Sequence, residues 1–366
     1  MHPLRVDVRA ATGGYPVLIG GGLADGLGRL LDEHRVGRRR IVVSNPVVWR
    51  LHGERIAKSL GGPELVLVPD GERHKHLATV SRIYDSLVRF EADRGTVVVA
   101  VGGGVTGDMA GFAAATYLRG IAFVQVPTTV VAQVDAAIGG KVGVNLPAGK
   151  NLVGAFHAPA LVAADPEVLR TLPRREFRAG LYEVIKYGMA CSADLFARLQ
   201  AAAPRLADPA ADALEPLVAD CCRIKAAIVS EDEREAGPRR VLNFGHTAGH
   251  AVEAVTAYRR FRHGEAVAWG MLVASEIAVA RGLLAAPDRD ALKALVMSLG
   301  PLPPVADLAV GYLVAATRHD KKVVDETLHF VLPSGVGAAT IVSDVTGAEL
   351  AAAMERVGFG AGRRAH

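Results

Sequence analysis

Thr96-Val97-Val98-Val99-Ala100-Val101-Gly102-Gly103-Gly104-Val105-Thr106-Gly107-Asp108 decides the fold of the first half of the chain. Its first six residues are mostly β-branched and, after Thr96, wholly apolar, the composition of a strand buried on both faces of a parallel sheet. The strand runs directly into a GxGxxG turn that opens a helical stretch. Glycines there let the backbone approach a pyrophosphate, and the exposed amides of a helix start favour its charge. By itself the pattern is weak, because glycine-rich turns after strands are common.

Upstream, Ile41-Val42-Val43-Ser44 and Leu65-Val66-Leu67-Val68 read as further buried strands. Between 75 and 90, Leu77, Val80, Ile83, Tyr84, Leu87 and Val88 recur at helical spacing. Strand, helix, strand in that order predicts right-handed crossovers in a doubly wound sheet. Ala122-Phe123-Val124-Gln125-Val126 adds a strand stopped by Pro127, and residues 4–9 alternate like another. A standard Rossmann unit places an acid roughly 20 residues after the glycines, to hold a ribose. The stretch 120–126 has none. Asp70-Gly71-Glu72, after strand 65–68, is placed to do that work, and its plain alternative is a tight turn. Lys141 and Lys150 lack the following Ser or Thr of a P-loop, which argues against an NTPase.

Beyond about residue 172 the texture changes to Ala-rich helical segments, among them 177–189, 214–230, 247–256 and 265–281, with one late strand at 327–332. The 366 residues, at roughly 150 per domain, therefore divide into an α/β N-terminal Rossmann-like doubly wound domain (1–172) and a mainly α-helical C-terminal domain (173–366). Half the residues are hydrophobic, which rules out a disordered chain. The net charge of +4 is scattered and partly terminal, as at Arg363 and Arg364. Without an aromatic-interleaved basic stripe, nucleic acid is not the partner. No apolar run spans a bilayer and none resembles a signal peptide, so no membrane role is expected. Cys191, Cys221 and Cys222 form no CxxC. They are expected to be inert thiols in a reducing, cytoplasmic setting.

The sharper signal lies in the second half. His246 and His250 stand at i and i+4 in Asn243-Phe244-Gly245-His246-Thr247-Ala248-Gly249-His250, and His263-Gly264-Glu265 opens the next apolar helix. Glu183 sits in an otherwise largely apolar segment. One Glu with two or three His suits Zn²⁺ with an open coordination position, the catalytic pattern. HxxxH lacks the Glu of HExxH, so a zincin protease is not indicated. Each piece has a dull alternative: a core His, or Glu183 with Lys186 as a helix-surface pair. Three histidines within 18 positions favour the metal. Lys141, Lys150, Lys186, Lys225 and Arg239 add cations suited to a substrate bearing phosphate and carboxylate.

These residues resemble the 3-dehydroquinate synthase family. The similarity runs through Gly102 to Phe112, Thr116-Tyr117-Leu118-Arg119-Gly120, Pro127-Thr128-Thr129, Gly139-Gly140-Lys141, Gly149-Lys150-Asn151, Glu183-Val184-Ile185-Lys186, Asn243 to Thr247 and His263 to Val267. In order, these run from Gly102 to Val267, within a resemblance that covers roughly residues 70–335. The resemblance implies a dehydroquinate synthase-like fold and zinc (or cobalt) on Glu183, His246 and His263. It implies NAD on Asp70, Gly71, Glu72, Lys75, Gly104, Val105, Thr106, Gly107, Asp108, Thr128 and Thr129, joined by Lys141 and Lys150. Around the substrate it implies Asp135, Lys141, Lys150, Asn151, Lys186, Lys225, Arg239, Asn243 and His250, with Arg119 supplied by the second subunit of a homodimer. Lys141, Lys186, Asn243 and His250 would serve catalysis, and Lys321 or Lys322 would also contribute.

The substrate so implied is 3-deoxy-D-arabino-heptulosonate 7-phosphate. The reaction is transient oxidation, phosphate elimination, reduction, ring opening and aldol closure to 3-dehydroquinate, a step of the shikimate route to aromatic amino acids. Tyr182, Ala248 and Ala136-Ala137 depart from the family pattern without removing a ligand. The rivals are a sister sugar phosphate cyclase acting on a carboxylate-free sugar phosphate, and a glycerol-dehydrogenase-like metal oxidoreductase. The latter shares the glycine turn and the Pro-Thr-Thr segment.

Overall fold

The four apolar runs of the first half and the alternating N-terminal stretch become strands of one seven-stranded sheet. The computed structural model describes residues 3–10, 13–209, 214–317, 323–324 and 327–360. The chain divides into two compact units, Met1–Pro173 with Asp212–Arg234, and Arg174–Ala211 with Glu235–His366.

In the first unit the strands are β1 (Leu4–Val8), β2 (Tyr15–Ile19), β3 (Arg40–Ser44), β4 (Glu64–Leu67), β5 (Val97–Gly102), β6 (Ala122–Pro127) and β9 (Leu161–Ala164), in the order β1-β2-β9-β6-β5-β3-β4. Only β1 and β2 pair antiparallel in it. β7 (Lys141–Leu146) and β8 (Gly149–Phe156) form a separate antiparallel hairpin. The helices are α1 (Leu27–Glu33), α2 (Pro46–Leu60), α3 (Leu77–Arg89) and α4 (Gly104–Thr116). Strand order reverses between β3 and β5, and the glycine turn follows β5, the switch point where open α/β sheets bind ligands.

β3 and β5 are buried along their whole length, as the unbroken apolar runs require. Val80, Ile83 and Leu87 of α3 pack with Met109, Ala110 and Ala113 of α4, Val98 and Ala100 of β5, and Val142 and Val144 of β7. Fully buried aliphatic side chains contribute about 1.5–3 kcal/mol each, against about 0–1 kcal/mol for a surface ion pair. This face, not the surface charges, holds the unit together.

The unit also takes in α7 (Leu214–Glu231), which a division at 172/173 places in the other domain. Its apolar side, with Leu217, Val218, Cys221, Cys222 and Val229 buried, packs on β1, β2 and residues 132–136. The Ser230 hydroxyl accepts from Arg9 N at 2.9 Å. Burial pushes the Cys222 thiol up to about 12 and the half-buried Cys191 up to about 11, so neither offers a thiolate at neutral pH.

The second unit contains α5 (Arg174–Cys191), α6 (Ala193–Leu206), α8 (His246–Val255), α9 (His263–Ala280), α10 (Ala286–Ser298), α11 (Val310–Thr317) and α12 (Gly347–Val357). α9 is buried on nearly every side and is packed by α5, α8, α10 and α12, as an all-round apolar helix must be. The strand expected over 327–332 is interrupted: β11 (Thr327–Leu328) pairs with β10 (Val323–Val324), while β12 (Phe330–Gly335) pairs with β13 (Ala338–Val342). Lys321 and Lys322 lie outside the described residues. Among the described residues no helix is long and apolar enough to cross a membrane.

Candidate active site

The glycine turn does locally what its sequence demands. Gly103 is extended and caps α4 without a side chain, and the first intrahelical bond runs from Gly107 N to Gly103 O. By helix geometry the amides of Gly104, Val105 and Thr106 therefore point out of the helix start. A Cβ on Gly103 would sit 3.0 Å from Thr129 Cγ2, and one on Gly107 would sit 2.5 Å from Gln125 Oε1. The third glycine of the motif thus lets α4 press onto β6. Thr128 follows β6 beside the turn, its N–H donating to Gly102 O at 2.9 Å. Its hydroxyl is buried without a hydrogen-bond partner. An open amide cradle beside an unsatisfied hydroxyl fits an anionic nucleotide.

The loop after β4 joins this turn through Lys75. The buried Lys75 ammonium bonds to the Asp108 carboxylate and, at 2.5 Å, to Asn151 Oδ1. Burial disfavours that ammonium, but Asp108 and Glu72 more than offset it and hold its pKa above the ordinary lysine value. Asn145, on β7, had no sequence signal, yet it is the organiser here. It donates to Glu72 Oε1 at 2.8 Å and accepts from Asn151 N at 2.8 Å. Asn151 is held at φ 51°, a conformation Asn tolerates better than most residues. Asp70 is exposed and accepts a 3.4 Å hydrogen bond from the Asn45 side chain.

Lys225 of α7, buried, bonds to the Asp135 carboxylate and to Asp135 O at 2.7 Å. The structure therefore joins two residues 90 positions apart that the sequence named separately. Lys141 and Lys150 stand near opposite ends of the hairpin, their backbones roughly 13 Å apart along it at about 3.3 Å per residue. Arg119 is exposed on a turn where Leu118, Arg119 and Gly120 all have positive φ. The turn follows the C-terminal end of α4, about one helix length, or roughly 20 Å, from the glycine turn.

The second constellation lies within the second unit. Glu183, on α5, is completely buried. Its Oε1 lies 3.5 Å from His263 Nε2 and 3.9 Å from His246 Nε2, and no hydrogen bond reaches it. Tetrahedral coordination at about 2.0–2.2 Å separates neighbouring donors by roughly 3.3–3.6 Å; the Glu183–His263 pair falls in that range, and all three donor atoms lie within 4.8 Å of one another, a grouping that could hold a metal ion. His246 and His263 are the first residues of α8 and α9, which converge because glycines allow it. A Cβ on Gly264 would lie 1.8 Å from Ala179 O of α5, and one on Gly270 would lie 1.9 Å from Gly245 O.

Lys186 is buried, 2.6 Å from Glu183 Oε2. The pair is therefore internal, which overturns the helix-surface alternative. His250 stands with its ring centroid 5.5 Å from that of His246 and 6.0 Å from that of His263. The Asn243 amide donates to Glu235 Oε1 at 2.5 Å, and Arg239, buried, lies on the same short helical segment, Pro238–Asn243.

Three carboxylates here were given no role from the sequence. Glu235 holds Asn243. Glu253 lies 3.3 Å from His263 Nδ1. Glu265, one per cent exposed, takes two 2.7 Å bonds from Arg175 and accepts from Arg262 N at 2.8 Å. That contact caps α9 and holds the turn bearing His263; an acid at the third position of a helix after a capping residue was its signal. Tyr182 is buried beside Glu183 in sequence, with its hydroxyl unpartnered and pushed up to about 12 by burial. Tyr182→Phe is expected to raise stability by about 1 kcal/mol, because it removes an unsatisfied polar atom and keeps the ring. A lower midpoint of thermal unfolding in metal-free protein would mean that the hydroxyl has a partner in solution.

Two family models match the sequence of this chain. Residues 65–179 match the 3-dehydroquinate synthase N-terminal model and residues 180–323 match the C-terminal model. The chain is 47% identical over 341 residues to the 3-dehydroquinate synthase of Pelotomaculum thermopropionicum, covering 92% of each protein. With that of Gloeobacter violaceus it shares 48% over 339 residues, covering 91% of this chain and 94% of the relative. This chain belongs to the 3-dehydroquinate synthase family. Among solved structures it is similar to 2-epi-5-epi-valiolone synthase from Streptomyces hygroscopicus with NAD⁺ and Zn²⁺ bound, at TM-score 0.86 and 32% identity, covering 94% and 96% of the two chains. Glycerol dehydrogenase from Schizosaccharomyces pombe shares the fold, at TM-score 0.64 and 17% identity over 97% of this chain and 90% of that one.

Proposed function

We propose that this chain is a zinc- and NAD-dependent 3-dehydroquinate synthase that converts 3-deoxy-D-arabino-heptulosonate 7-phosphate into 3-dehydroquinate and phosphate. In a chain of this family, the observation that carries the metal reading is Glu183 Oε1, buried and unbonded between two imidazole Nε2 atoms.

Glu183, His246 and His263 hold the zinc, a three-ligand set of the catalytic kind. The amides of Gly104 to Gly107, with Asp70 to Lys75, Asp108, Thr128 and Thr129, hold the dinucleotide, and Lys141 and Lys150 join them. Bound there, the dinucleotide would supply a reversible hydride acceptor for a ring alcohol, and the zinc would supply Lewis acidity toward that alcohol. The chain's own side chains do the rest. Lys141, Lys150, Asn151, Lys225 and Arg239 neutralise and orient the phosphate and carboxylate. Asp135 fixes Lys225, Lys186 sets the charge beside Glu183, and Asn243 orients the sugar. His250 moves a proton through a ring nitrogen, since imidazole titrates near neutrality. The protein works as a cytoplasmic homodimer in which Arg119 of one copy serves the other.

The test is turnover of the heptulosonate phosphate with NAD⁺ far below the substrate concentration. Many phosphates released per NAD⁺, and none with a chelator present, are expected. Net NADH accumulation would favour a dehydrogenase, and turnover of sedoheptulose 7-phosphate instead would favour a sister cyclase.

A further inference from the structure

We infer that Glu253 is a positioning residue for His263, fixing the ring tautomer and orientation with which it meets the metal. The inference rests on the zinc reading above. A neutral imidazole carries one N–H, and whichever nitrogen bears it cannot bind a cation. For His246 the backbone settles the matter: Nδ1 lies 3.2 Å from Phe244 O, so it donates there and leaves Nε2 toward Glu183. His263 opens α9, with 37% of its side chain exposed, so water competes for its ring nitrogens. The acceptor it meets is Glu253 Oε2, 3.3 Å from Nδ1. Glu253 is only 4% exposed and stands seven residues after His246 on α8, two helical turns along the same face.

One helix thus presents a metal ligand and the acceptor that orients a second ligand on the next helix. A carboxylate in this place also raises the basicity of the imidazole it holds. Glu253 has a rival role, because with His250 and His263 it forms a second group of donor atoms within 4.8 Å of one another. There it would be a ligand itself.

The test measures zinc affinity by chelator competition, zinc stoichiometry, and the His263 tautomer by ¹⁵N NMR of the metal-free full chain. It uses wild type, Glu253→Gln and Glu253→Ala. Wild type is expected to bind one zinc with His263 protonated at Nδ1. Glu253→Ala is expected to mix the tautomers and weaken zinc roughly 10–100-fold. Glu253→Gln, isosteric and still an acceptor, should keep the tautomer and lose less affinity than alanine. Unchanged affinity and tautomer in both variants would overturn the inference, as would a second zinc that Glu253→Gln abolishes. A wild type that binds no zinc would overturn the metal reading, and this inference with it.

Discussion

Glu183→Gln is expected to strip the protein of its metal and lower kcat by at least about 10³-fold. Zinc contributes several kcal/mol of charge stabilisation in reactions of this kind, and each 1.4 kcal/mol is a factor of ten. The carboxylate is completely buried, and its Oε1 faces both imidazoles, so an amide there loses the anionic ligand. Its NH₂ can also turn a donor toward the cation. A second effect accompanies the first. Lys186, itself buried, loses its ion-pair partner at 2.6 Å, and removing one member of a buried pair costs about 3–5 kcal/mol. The two are separable. Adding Lys186→Met to Glu183→Gln should restore much of the thermal stability and none of the zinc. Wild-type zinc content and turnover in Glu183→Gln would reject the ligand assignment outright.

The sequence was most informative where one residue type does one local job. The run 97–101 is buried on both faces, so it is apolar throughout, and the strand expected over 96–101 was legible to within a residue. The α3 and α9 faces were legible for the same reason. Glu183, His246 and His263 stood out because buried acids and clustered imidazoles are rare. Features that depend on long-range pairing left little trace. The β7–β8 hairpin carries Lys141, Lys150 and Asn151, but its Gly-rich residues do not alternate cleanly. Asn145 organises Glu72 and Asn151 through its amide, and an Asn beside a turn resembles any other. α7 reads as one more helix of the second half. Only its partners, β1, β2 and residues 132–136, assign it to the first unit. Glu253 is one of many glutamates until α9 brings His263 to it.

Gly264→Ala is expected to cost about 3 kcal/mol of stability and to weaken zinc roughly 100-fold, although Gly264 binds nothing itself. Its Cβ would fall 1.8 Å from Ala179 O and 2.7 Å from the carbonyl carbon, both backbone atoms of α5 that cannot rotate away. Ordinary contact requires a separation larger by more than 1 Å, so α9 must move off α5 as a body. Overpacking of this kind typically costs about 1–3 kcal/mol, and more where backbone meets backbone. The same movement carries His263, the preceding residue, away from Glu183, which lies one turn beyond Ala179. A donor pair now 3.5 Å apart then passes beyond what one zinc can span at about 2.1 Å per bond. Gly311→Ala is the control. It lies in α11 with nothing within 4 Å of the added carbon, and glycine to alanine in a helix is neutral to about 1 kcal/mol stabilising. Thermal unfolding of the metal-free chains and zinc competition on both variants decide the matter. If Gly264→Ala behaves like Gly311→Ala in both, the convergence of α5 and α9 is not what builds the metal site.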